Sequence, residues 1–169
     1  MDTYLAKRFD LFIETIESEM KFIANYEFKE DNTVCCLSES QLGVYLDEKV
    51  NDKSTAYSVP GFVDCGLDHS VDEIKNVICS IIDKHPILKG RILDTYDMPI
   101  LVCDSFPSIE IVESEDYANF IQPFDLNKSM ARFFIVDGDD SRFVFYEMHH
   151  IISDATSRAI LDNEFSKAF

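Results

Sequence analysis

The chain has 169 residues, 46% of them hydrophobic and 12% aromatic, enough apolar material for one domain with a real core and too much for a disordered segment. Asp and Glu number 32 against 15 Lys and Arg; the resulting formal charge of -17 repels phosphate backbones and anionic lipid surfaces, so neither a nucleic acid nor a membrane is an expected partner. Acidic residues interrupt the N-terminus from Asp2 onward, leaving no apolar run for a signal peptide or a span, and the five cysteines form no CxxC pair, so a reducing, cytoplasmic setting is expected.

Along the chain, residues 4–25 read as an amphipathic helix with Leu5, Phe9, Phe12, Ile16, Met20 and Ile23 at helical spacing, and KEDN at 29–32 as a linker. Residues 1–33 are thus expected to form an N-terminal helix and linker ahead of one lobe at 34–169. A helix at 38–49 opens on a capping box, Ser38 with Gln41 three residues later, and carries Leu42, Tyr45 and Leu46 on one side. Residues 58–65 read as a strand with a Pro-Gly irregularity near its start. The clearest helix covers 70–85. Ser70 and Glu73 form a second capping box, Val71, Ile74, Ile78, Ile81 and Ile82 repeat at helical period, and Pro86 limits its continuation.

Strands are expected at 87–93, 100–103 and 109–112, and a short helix at 114–121. A hairpin follows, with arms 131–136 and 142–148 around the turn DGDD. Its second arm, FVFYEM, scarcely alternates and should be an inner strand covered on both faces. It runs directly into His149 and His150, and a last helix is expected at 156–168.

The chemistry-bearing segment is MHHIISDATS, residues 148–157. Successive strand side chains point to opposite faces, so His149 and His150 should have different roles, with one facing the interior and the other a cleft. Asp154, across the strand-to-helix turn, can fix a ring tautomer, bond local backbone or pair with a cation. Hydrogen-bonded core histidines are the plain alternative. A metal site is disfavoured because adjacent strand histidines diverge and His69 and His85 are remote in sequence. Ser153 and Ser157 flank the motif without a G-x-S-x-G elbow.

MHHIISDATS resembles the HHxxxDG motif of nonribosomal peptide synthetase condensation domains, members of the chloramphenicol acetyltransferase-like fold group. Three further stretches agree in order. LSESQLGVY at 37–45 looks like the family's L-S-x-x-Q-x-x-x-Y element, KHPILKGR at 84–91 like its R-H-x-x-L-R element, and PFDLNKSMAR at 123–132 like its P-F-D-L stretch with a following Arg. The resemblance covers about residues 34–169 and implies an α/β (α+β sandwich) lobe with a mixed β-sheet and helices 38–49, 70–84 and 156–168 packed against it. It further implies that His150 is the catalytic histidine, that His149 has a structural role, and that Asp154 organises the loop by an ion pair.

The expected partners of that pair are Lys84, Lys89, Arg91 and Arg132. Lys84 and Lys89 stand where the family has arginines, and lysine is the weaker bidentate donor. Ala155 replaces the family's glycine. Such domains have two similar lobes in a V around the active site; this chain looks like the N-terminal lobe, with the C-terminal lobe an absent partner. The implied reaction is amide formation between a thioester on a donor carrier domain and an amine on an acceptor carrier domain. Phosphopantetheine arms of the peptidyl carrier domains would deliver both, with no cofactor held directly and no metal. A CoA-dependent O- or N-acyltransferase of the same fold, or a non-catalytic lobe that only docks carrier proteins, are the alternatives.

Overall fold

The computed structural model describes residues 33–51, 54–94, 98–113 and 119–169. The expected helix at 4–25, the linker at 29–32 and most of the short helix at 114–121 lie outside the described residues. Two sheets and three α-helices make up the described part. Strands β1 (Val34–Cys36), β3 (Gly90–Leu93) and β4 (Ile100–Cys103) form an antiparallel sheet in the order β1-β4-β3. Strands β2 (Ser58–Asp64), β5 (Ser108–Val112), β6 (Ala131–Asp137) and β7 (Arg142–His149) form the larger sheet in the order β2-β7-β6-β5. Its β5–β6 pair is parallel and the other pairs are antiparallel, which makes it the mixed sheet expected.

Helices α1 (Glu39–Val50) and α2 (Val71–Lys84) both begin with complete capping boxes, Ser38 with Gln41 and Ser70 with Glu73. Two otherwise unsatisfied N–H groups are met reciprocally at each start. Helix α3 (Ala155–Ala168) closes the chain. Helix α2 packs against β6 and α3 against β2, on one face of the larger sheet. Between them lie Ile74, Ile78, Phe133, Ile135, Tyr146 and Phe165. The opposite face carries a second cluster in which Phe120 stacks on Phe134 at 4.7 Å, beside Phe143 and Phe145. Strand β7 is therefore an inner strand, buried on both faces from Phe143 to His149.

Two expectations are corrected. The strand expected at 87–93 begins only at Gly90, because Pro86 opens a 3-10 turn over Pro86–Lys89. Proline presets a helical φ at the first position of such a turn. The Pro-Gly pair brings no irregularity to β2, whose register with β7 runs unbroken from Ser58↔His149 to Asp64↔Phe143. Pro60 is tolerated because β2 is an edge strand. Gly61 is required by close approach: the Tyr146 ring lies across it, and a Cβ at residue 61 would fall 1.9 Å from Cζ of that ring.

Met130 is bonded to both sheets. The Met130 N–H donates to Gly90 O in the small sheet at 3.2 Å, while its carbonyl accepts from His149 N at 2.8 Å.

The packing of Tyr146 gives a direct test. Gly61→Ala should destabilise the fold by about 1–3 kcal/mol, because the ring must leave its position over β2. A lowered midpoint in urea unfolding checks it.

Candidate active site

Strand alternation does most of the positioning. In β7, Val144, Tyr146 and Met148 face the helices, and Phe143, Phe145, Glu147 and His149 take the other face. The His149 side chain is 2% exposed. Its Nδ1 accepts the Ile151 N–H at 3.2 Å, and its ring packs edge-on against Phe124 at 5.7 Å between centroids. Burial, with the neighbouring His150 adding to the effect, pushes its imidazolium down to about 4. The ring is neutral at neutral pH. His150, one residue further, is exposed at the end of the strand, and its N–H donates to Tyr57 O at 2.8 Å.

His150 lines an open pocket of about 400 Å³ with Ser38, Gln41, Val44, Asp154 and Ser157. Gln41 links the pocket walls. Its Oε1 accepts from Ser38 N at 2.9 Å within the capping box, and its Nε2 donates to Ile151 O at 2.8 Å. One side chain thus closes the start of α1 and ties that helix to the loop after the histidines. Ser153 Oγ donates to His149 O at 3.0 Å and tightens the same turn.

Asp154 is the N-cap of α3. Its Oδ1 accepts from Ser157 N and Ser157 Oγ, each at 2.7 Å. These bonds, the backbone one first, hold its carboxyl below the usual carboxylate range. The four bases expected beside it pair elsewhere: Lys84 with Glu164, Lys89 with Asp83, Arg91 with Asp104 and Arg132 with Glu147. No ion pair reaches Asp154 among the described residues. The physical reason is local, since a helix start offers free N–H donors one turn away and the acid takes them. Arg132 belongs to the buried side of the site. Its Nε is 2.6 Å from Oε2 of the fully buried Glu147, which also accepts from Ser58 Oγ, and its guanidinium lies over the Phe124 ring.

Ala155 is the first residue of α3, and no non-glycine among the described residues has a positive φ. The backbone here makes no demand for glycine. The methyl group fits an ordinary helical position.

Sequence reasoning missed the second bond of Gln41 and the burial of Glu48. The former signalled only a local cap, and the latter looked like part of the polar run DEK at 47–49.

The model of the Condensation domain family matches residues 31–169. The chain belongs to the Condensation domain family. It is 27% identical to surfactin synthase subunit 2 of Bacillus subtilis (strain 168), over 79% of this chain and 4% of that protein. It is 26% identical to bacitracin synthase 3 of Bacillus licheniformis, over 76% of this chain and 2% of that protein. Among solved structures it superposes on the starter condensation domain of rhizomide synthetase with a TM-score of 0.68 and 15% identity, covering 81% of this chain and 39% of that one. A four-domain nonribosomal peptide synthetase solved with AMP and glycine gives 0.68 and 19% identity, covering 86% of this chain and 12% of that one. The chain spans well under half the length of each. The α/β lobe with its mixed sheet is the chloramphenicol acetyltransferase-like fold expected from the sequence.

The cap at α3 sets a pH-dependent test. A carboxyl held low in the fold contributes stability above the unfolded carboxylate value and loses it as pH falls through the folded value. Asp154→Ala should therefore lower the melting temperature at neutral pH, with the difference from the parent chain closing in acid. Asp154→Asn, which still caps, should stay nearer the parent. Thermal scans across pH check both.

Proposed function

We propose that this lobe supplies the histidine side of an amide-forming condensation site in nonribosomal peptide synthesis. The observation that carries the reading is His150, exposed on an open pocket directly after a strand that is buried from Phe143 to His149. The amine of an acceptor held on one peptidyl carrier domain attacks the thioester carbonyl of a donor held on another. A carbon–nitrogen bond forms, the carbon–sulfur bond breaks, and the phosphopantetheine thiolate leaves. The imidazole of His150 can take the proton from the attacking amine and return it to the departing sulfur. No serine or cysteine nucleophile is required. Holding two tethered reactants in line contributes at least as much as the proton transfer.

His149 serves this site from behind, as a neutral structural ring, and Asp154 by fixing the start of α3. The remainder of the site belongs to a C-terminal lobe that faces the His150 pocket, and the carrier domains deliver their arms between the two. The pocket lining has one carboxylate and no Lys or Arg among the described residues, a poor match for the phosphates of free CoA and a better one for carrier-tethered substrates.

The test uses the whole synthetase domain that contains this chain, supplied with a carrier-bound thioester donor and an amine acceptor. His150→Ala should lower the rate of amide formation at least about tenfold with the fold intact, in keeping with general acid–base contributions. An unchanged rate defeats the assignment.

A further inference from the structure

Behind the histidine pair, α1 sends Glu48 into the interior. Its side chain is 6% exposed, and its Oε2 lies 3.8 Å from His149 Nε2. That separation is an electrostatic contact, longer than a hydrogen bond. On its other edge, His149 Nδ1 accepts the Ile151 N–H. A nitrogen that accepts carries no proton, so in the neutral ring the proton sits on Nε2, facing Glu48. The ring also meets Tyr57, with centroids 6.0 Å apart, and Phe124, neither of which offers a charge.

We propose that Glu48 is a positioning residue whose buried carboxyl holds His149 in the Nε2-protonated tautomer, so that Nδ1 stays an acceptor for the Ile151 amide and the backbone presenting His150 is fixed. The chain of effect is short. The Ile151 N–H is bound by His149 Nδ1 and its carbonyl by Gln41 Nε2, so both polar groups of the residue after His150 are held by side chains. One of those holders, Gln41, is seven residues before Glu48 on the same helix. Helix α1 therefore controls the turn twice, directly through Gln41 and through the ring by way of Glu48. The neutrality of His149, imposed by burial, is consistent with this arrangement, since an imidazolium would have no acceptor left for the Ile151 amide. The value of this positioning for catalysis rests on the reading of His150 given above; the tautomer itself does not.

The experiment is nitrogen-15 spectroscopy of the histidine rings in the full chain, combined with hydrogen exchange at the Ile151 amide. The unaltered chain should show residue 149 with a protonated Nε2 and an acceptor Nδ1. Glu48→Met, of similar length and without an acceptor, should lose the tautomer preference and speed Ile151 exchange about tenfold, the effect of losing one hydrogen bond. Glu48→Gln, which keeps an acceptor oxygen, should retain both. A proton on Nδ1 in the unaltered chain, or a Glu48→Met chain identical to it in tautomer and exchange, overturns the proposal. Should Glu48→Met fail to fold, an Nε2 proton in both the unaltered chain and Glu48→Gln supports it, and an Nδ1 proton in the unaltered chain overturns it. Since none of these readouts measures amide formation, they stand or fall separately from the activity of His150.

Discussion

Strand β7 is bonded on both edges, to β2 and to β6, and sealed on both faces, by the helices on one side and by the Phe120 cluster on the other. A strand so enclosed has no freedom to slip, because a shift of one residue would exchange its two faces. The orientation of the histidine pair follows from that constraint. His149 is still within the register, opposite Ser58, and turns into the interior; His150 is the first residue past the ladder and meets solvent. The side chains at the end of this strand are placed by the packing of its middle.

The same enclosure governs the charged groups. Glu147 shares the face of His149 and is fully buried, yet it accepts from Ser58 and pairs with Arg132, whose guanidinium rests on Phe124. A buried charge is sustained by a partner together with hydrogen bonds at its remaining oxygens. The phenyl ring that carries Arg132 on its face also packs perpendicular to the His149 ring. The P-F-D-L stretch therefore supports the floor of the site, although in sequence Phe124 stands 25 residues before His149.

Much of this was legible in the sequence because it is local. Two capping boxes set the starts of α1 and α2, the unbroken apolar run FVFYEM marked the inner strand, and alternation separated the roles of the two histidines. What escaped was decided by competition between partners. The residues alone leave Asp154 free to bond local backbone or a cation, and the resemblance implies the cation; the acid takes the N–H and hydroxyl of Ser157, three residues away, because a helix start presents those donors without any chain closure. Glu48 lies within a run of charges that reads as solvated, and only the tertiary placement of α1 turns it inward. Strand β3 is shorter than its apolar pattern suggests because Ile87 and Leu88 fit a strand as readily as the 3-10 turn that Pro86 imposes.

The double attachment of Met130 has a mechanical consequence. Its amide is fastened to Gly90 in the small sheet and its carbonyl to the backbone of His149 in the large one. The two bonds sit on successive peptide units, so the edge of the small sheet and the end of β7 meet on either side of one Cα. A tilt of β3 against β7 would have to stretch one of these bonds, besides disturbing the core that Ile92 and Leu101 share with Phe133 and Ile135. The small sheet thus bears directly on the backbone that ends in the two histidines.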